Sequence, residues 1–181
     1  MTEIMRGYFG IGVEGISKPF NVGNVMRTAH AFGAGFMFTI ASQYKYAASD
    51  TAKTHESVPF FAFDEPSLMI LPKDCSLVGI ELMDDAIDLP IFAHPLNAAY
   101  VLGPERGTLS PELTDRCNHI VKIPTRFSIN LGVAGAIVLY DRMRMLGRFG
   151  ERPLNPRVAP QRRRPHIYGK PKDRLFKNNA K

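Results

Sequence analysis

Apolar and polar positions follow two different rhythms along this chain, and the switching between them predicts an α/β domain. Tyr8 to Ile16 (YFGIGVEGI) is a short apolar run of strand type, followed by the loop Lys18-Pro19-Phe20-Asn21. From Val22 to Phe32 the rhythm turns helical, with Val22, Val25, Met26, Ala29 and Phe32 on one side. Asn21 is the expected N-cap of this helix and Gly33 its C-terminal stop. Gly35 to Ala41 (GFMFTIA) returns to strand. In the less regular middle, Asp50 to Val58 reads as a short helix, Pro59 to Phe63 and Ser76 to Leu82 as strands, and Glu65 to Leu71 as a helical turn. Ala98 to Leu102 is a short buried strand that runs into Gly103-Pro104-Glu105. Pro111 to Cys117 is helical with Ser110 as its cap, and His119 to Ile123 is the last strand. Asn130 to Leu146 carries the longest helical pattern, with Leu131, Ala134, Val138 and Met145 along one face. No internal repeat is present.

Composition sharpens this outline at its C-terminal end. Hydrophobic residues make up 45% of 181 residues, enough for one domain with a real core and against wholesale disorder. After Gly147 apolar residues thin out, prolines recur (Pro153, Pro156, Pro160, Pro165, Pro171), and Arg162-Arg163-Arg164 stands among them. The expected division is therefore a domain over residues 1–147 and an extended basic tail over 148–181. Of the 23 Lys and Arg, 11 fall between Arg148 and Lys181, with only 2 of the 17 Asp and Glu, so the tail carries +9 and the body −3. That is a polyanion-binding arm on a near-neutral body.

Other chemistry is disfavoured. No apolar run approaches the roughly 20 residues of a membrane helix. Met1 to Arg6 includes Glu3 and no long apolar core, so no secretory signal and no membrane partner are expected, and a cytoplasmic protein is. Cys75 and Cys117 are far apart in the chain, and the five histidines are scattered. Neither a disulfide framework nor a metal site is expected, and the histidines are assigned ordinary structural or surface roles.

Three segments carry the chemistry, each beside a predicted strand end, where α/β sheets bind ligands. The first, Asn21-Val-Gly-Asn-Val-Met-Arg27 through Gly33, enters a helix whose free N–H groups can hold an anion, with Arg27 within reach of that end. The second is Tyr100-Val-Leu-Gly103-Pro104-Glu105-Arg106-Gly107, a buried strand ending in glycine and then a carboxylate. The third, Ile120 to Ala136, leaves a strand at Ile123-Pro124 and enters a helix that Ser128 or Asn130 would cap. Gly132, Ala134, Gly135 and Ala136 make its first turns slim, so that another backbone or a ligand can approach. Taken singly, the first and third are as compatible with a capped solvated helix and with tight helix–sheet packing, and the second reads first as an ordinary turn with a solvent-facing Glu105.

In this order the segments resemble the signature motifs of the SpoU/TrmH family, within the SPOUT methyltransferase superfamily: NxGxxxR with a following AxxFG, then LGxE, then IP…SxNxxxA. The similarity runs from about Tyr8 to Met145. It implies a SPOUT-type α/β knot, a mostly parallel sheet flanked by helices with a deep C-terminal trefoil knot, acting as a homodimer. It implies S-adenosylmethionine as methyl donor, the ribose 2′-hydroxyl of a tRNA or rRNA as acceptor, and cofactor contacts at Leu102, Gly103, Ile123, Ile129 and Leu131. Asn21, Arg27, Glu105, Ser128 and Asn130 match the family's active residues. In the family the arginine is held to take or relay the 2′-OH proton, but a guanidinium is nearly always protonated, so a phosphate clamp is the physically safer role for Arg27.

Two positions depart from the pattern. Thr108 stands where the family has a glycine three residues after the motif-two acid, with Gly107 one position earlier, and Ile129 replaces the commoner leucine. Beyond the domain, Arg162, Arg163, Arg164, Lys170 and Lys172 are expected to neutralise RNA phosphates, and Tyr168 and Phe176 to stack on bases. The competing expectations are a solvated terminus in place of an RNA-binding tail, a non-catalytic RNA-binding or assembly protein on the same scaffold, and a SPOUT enzyme that methylates a base.

Overall fold

A computed structural model describes residues 7–42, 58–104 and 106–147. Among these, seven strands form one sheet: β1 (Tyr8–Glu14), β2 (Phe36–Ile40), β3 (Phe60–Phe63), β4 (Ser76–Ile80), β5 (Ile87–Asp88), β6 (Asn97–Leu102) and β7 (His119–Lys122). Their order is β3-β2-β1-β6-β4-β7-β5, and every pairing is parallel. Three helices accompany them, α1 (Pro19–Phe32), α2 (Pro111–Arg116) and α3 (Leu131–Leu146).

Parallel strands need cover on both faces, and the central strands are accordingly buried almost throughout. One face carries Ile11, Val13, Met37, Val78 and Tyr100, packed with Val22, Val25, Met26 and Ala29 of α1 and Leu131, Ala134, Val138 and Leu139 of α3. The other carries Phe38, Ile40, Leu77, Ala99 and Val101, covered by Leu109, Leu113 and Met69. Because each parallel crossover returns the chain to the same edge, the carboxyl ends of β1, β4, β6 and β7 lie together, and the loops that leave them share one rim.

The helix boundaries refine the sequence reading. The N-cap of α1 is Lys18, three residues before Asn21, and it makes no side-chain capping bond. Pro19 explains the shift: its fixed φ and missing N–H suit the first helical position, so the helix begins one turn early and Asn21 lies within it. Gly33 closes α1 in the left-handed region, with φ 75°. Asn130, and not Ser128, caps α3, its Oδ1 accepting from Gly132 N at 2.9 Å. Ser110 caps α2 by accepting from Leu113 N at 3.2 Å. On α3, Met145 is 49% exposed and so falls off the expected apolar face. Leu139 and, unexpectedly, Arg142 are buried on this helix. Glu65 to Leu71 contracts to a 3₁₀ turn at Pro66–Leu68. The expected helix at Asp50 to Val58 lies outside the described residues except for Val58, a buried residue outside any helix.

Candidate functional site

A cavity of about 560 Å³ opens at the carboxyl rim of the sheet. Ile80, Glu81 and Leu82 contribute the end of β4, Leu102, Gly103 and Pro104 the end of β6, and Ile123 the end of β7. The loop from Ser128 to Asn130 and the first turns of α3, at Leu131 and Ala134, complete it. Leu102, Gly103, Ile123, Ile129 and Leu131 thus all line one cavity, together with Ser128 and Asn130. Its volume lies in the range of about 300–1,000 Å³ typical of small-molecule sites.

The loop between β6 and α2 forms one wall, and two carboxylates fix its far end. Glu14, the last residue of β1 and only 6% exposed, accepts from Ser110 N at 2.8 Å and from Ser110 Oγ at 2.5 Å. Glu81, just beyond β4, accepts from Leu109 N at 2.9 Å through Oε2 and from Leu82 N at 2.9 Å through Oε1. Since β6 lies between β1 and β4, the loop is gripped from both neighbouring strands. Sequence reasoning missed both acids. Their signal is visible in retrospect: each is a lone carboxylate inside an apolar run, GIGVEGI and SLVGIEL.

Gly103 sits directly against this clamp. A Cβ there would come within 2.9 Å of Glu81 Oε2 and 3.2 Å of Leu109 N, so a side chain would push the carboxylate or the loop aside. Gly107 has φ 116°, a conformation that L side chains rarely adopt. Glycine thus stands where this loop needs that conformation, one position before the glycine of the family motif. Glu105 itself lies outside the described residues.

The first segment occupies a different place. Asn21 is buried in the first turn of α1, whereas Arg27 is exposed on the outer side of that helix. Arg27 lines a second, shallow groove between α1 and α3, with Asn24, Thr28, Val133, Ile137 and Tyr140. Asn130 lines both concavities and joins them. Within one chain, then, the second and third segments meet in the cavity, and Arg27 approaches from the adjoining groove. The slim start of α3 serves packing at two of its four small residues. A Cβ on Gly132 would lie 3.1 Å from Asn24 Cβ, and one on Gly135 would lie 3.1 Å from Ile11 Cδ1. Arg162, Arg163, Arg164, Lys170 and Lys172, with Tyr168 and Phe176, lie outside the described residues.

Residues 9–140 match the SpoU rRNA Methylase family. The chain is similar to the 23S rRNA (guanosine-2'-O-)-methyltransferase RlmB of Nitrosomonas europaea, at 27% identity over 148 residues, covering 73% of this chain and 54% of that protein. It is also similar to the mouse tRNA (guanosine(18)-2'-O)-methyltransferase TARBP1, at 28% identity over 148 residues, covering 73% of this chain and 9% of that protein. The chain therefore spans about half the length of the first relative and less than a tenth of the second. In fold it is similar to the SpoU methyltransferase AviRb from Streptomyces viridochromogenes, solved in complex with the cofactor AdoMet. The TM-score is 0.70 at 21% identity, covering 77% of this chain and 58% of that one.

Proposed function

The chain belongs to the SpoU rRNA methylase family, and from that premise we propose that it transfers a methyl group from S-adenosylmethionine to a ribose 2′-hydroxyl of tRNA or rRNA. The observation that carries this reading is the single cavity lined by Leu102, Gly103, Ile123, Ile129 and Leu131.

The residues present fit the donor. Leu102, Ile123, Ile129 and Leu131 offer the apolar walls that a flat adenine needs, while backbone groups at the ends of β6 and β7 are available for its polar edge. The absence of a side chain at Gly103 keeps the floor open beside Glu81. When bound, S-adenosylmethionine supplies a methyl group on a positively charged sulfur, ready for in-line attack. The protein's part is then chiefly positioning, which can supply much of the acceleration. Asn130 uses its carbonyl oxygen to cap α3, which leaves its amide N–H groups as donors between cavity and groove. Ser128 stands beside it with a hydroxyl that both donates and accepts. Arg27 holds a substrate phosphate and so orients the sugar, because a guanidinium keeps its proton and serves better as a clamp than as a base. Glu105 holds one of these polar groups in place.

The apolar groove between α1 and α3, where Val133, Ile137 and Tyr140 are exposed, suits a second copy of the chain and supports a homodimer. The trefoil knot of the family would be tied where the segments after β6 and β7 close around the cavity. The basic tail supplies phosphate contacts that position RNA without reading its sequence. Removing residues 148–181 should therefore weaken RNA binding and flatten its salt dependence, measured by filter binding across a salt series.

The central test is a methyl-transfer assay with labelled donor and unmodified RNA, followed by nucleoside mass spectrometry. A 2′-O-methylated nucleoside is expected. Arg27→Ala should lower transfer by at least about a hundredfold while donor binding in equilibrium dialysis stays within about twofold. RNA binding without donor binding would favour a pure RNA binder, and a base-methylated product would overturn the ribose assignment. Normal turnover by Arg27→Ala would remove that residue from the mechanism.

A further inference from the structure

Glu81 brings a negative charge into the cavity wall and makes no ion pair there with a described residue. Among the described lining residues it is the one carboxylate, and Arg106 is the one cation. No ion pair joins them, and among the described residues Glu81 has no Lys, Arg or His within ion-pair distance. Its carboxylate is held instead by two backbone N–H groups, from Leu82 and Leu109, each at 2.9 Å. Those bonds use two of roughly four acceptor sites on the group and prevent it from swinging away. Gly103 provides the space in which it sits, since any side chain there would collide with Oε2 at 2.9 Å. A carboxylate fixed in the cavity wall by backbone N–H groups, with no ion pair to a described residue, is a feature that a cationic ligand would satisfy.

We infer that Glu81 makes the cavity discriminate by charge, favouring S-adenosylmethionine, whose sulfonium is positive, over the spent product S-adenosylhomocysteine, whose sulfur is neutral. The inference rests on the cavity being the donor site. The two ligands differ by one methyl group and one unit of charge. An apolar pocket separates ligands that differ by a methyl only modestly, and a carboxylate adds a second means of telling them apart. Product left after transfer would then be displaced by fresh donor. The alternative is that Glu81 only shapes the loop, in which case it would affect both ligands alike.

Isothermal titration calorimetry with both ligands separates these possibilities. The quantity read is the ratio of the Kd for S-adenosylhomocysteine to that for S-adenosylmethionine. Glu81→Gln keeps the size of the side chain and one carbonyl acceptor but removes the charge. We expect the ratio to fall about tenfold, through weaker binding of S-adenosylmethionine, as a charge interaction at partly screened range would give. Glu81→Asp keeps the charge but shortens the reach to Leu109, so it should weaken both ligands together and leave the ratio within about twofold of the wild type. Equal weakening of both ligands in Glu81→Gln, or no change in either, overturns the inference. Should Glu81→Gln fail to melt cooperatively, the wild-type protein decides: the ratio should fall as salt rises from about 0.05 to 0.5 M and screens the carboxylate, and a ratio that does not change with salt overturns the inference. A wild-type protein that binds neither ligand is a different failure, because it removes the donor site itself.

Discussion

The two ends of the parallel sheet solve opposite problems. At the carboxyl end, Glu14 and Glu81 are anions held by backbone N–H groups of a loop, and the space beside Glu81 is left open. At the amino end, Arg142 of α3 is a cation held by backbone carbonyls, and the space around it is filled. Its guanidinium donates to Pro95 O, Leu96 O and Tyr8 O, and to Tyr100 Oη at 3.2 Å. It also lies 5.1 Å from the centre of the Phe9 ring. Both ends bury charge, but only the amino end satisfies it wholly from within. A closed polar network fixes structure, whereas an open one leaves capacity for a ligand. Helix α3 spans both, with Asn130 at the cavity and Arg142 at the lock, so the lock holds the helix that builds the site.

The sharpest way to break this contrast is to remove the lock. Arg142 is 3% exposed, so Arg142→Met strands three carbonyl oxygens and the Tyr100 hydroxyl without their donor. A loss of about 3–5 kcal/mol of folding stability is expected, as for other broken buried charge networks, read from urea denaturation. Donor affinity of the folded fraction should change less than about twofold. A variant of normal stability that no longer binds donor would show that the two ends are not separate in function.

A smaller effect is expected from the opposite end. Gly103→Ala forces a methyl group against Glu81 Oε2 and Leu109 N. The strain should be on the order of 1–3 kcal/mol, and here it should appear in donor affinity as well as in stability. The contrast would sharpen if Gly103→Ala weakened binding more than Arg142→Met did. It would fail if Gly103→Ala altered stability alone.

These two residues also mark how far the sequence could be read. The strands and helices were legible because apolar periodicity records burial. Gly103 was legible as part of a motif at a strand end, as were Ile123, Ile129 and Leu131. Arg142 was hidden, because a charged residue on a helix reads as solvated and nothing local announces that carbonyls at Tyr8, Pro95 and Leu96 will converge on it. Glu14 and Glu81 were hidden for a similar reason: their partners, Ser110 and Leu109, are 96 and 28 residues away. Strand β5 has two residues, too few for any period to show. The start of α1 was misplaced because Asn21 is a good cap in isolation, while Pro19 is a better start. The separation of Arg27 from the cavity was illegible too, since the sequence places it beside Asn21 without saying on which side of the helix it emerges.

The smallest effect concerns pH and again separates the two ends. His94 is 4% exposed, with Nδ1 2.6 Å from Tyr100 Oη and Nε2 3.1 Å from Asp141 Oδ2. Arg142 can only donate, so the Tyr100 oxygen accepts from it and sends its own proton to His94 Nδ1. Nε2 then carries the imidazole proton toward Asp141, and the ring is neutral. A second proton would have to enter at Nδ1, against the Tyr100 hydroxyl and beside a guanidinium. Burial accordingly lowers the His94 pKa from its ordinary 6.5, an effect that Asp141 partly offsets and Arg142 reinforces. With the folded pKa depressed, the unfolded chain binds the proton first as pH falls. The stability due to neutral His94 is thus complete above about pH 6.5 and declines as pH drops from there toward the folded value, by at most about 1.4 kcal/mol per pH unit. His94→Gln should flatten that part of the curve in urea titrations between about pH 7.5 and 5.5, and donor affinity measured over the same range should not change slope with the substitution. Parallel losses in wild type and His94→Gln would place the acid sensitivity elsewhere. A donor affinity that followed His94 would mean that the lock at one end of α3 is felt in the cavity at the other.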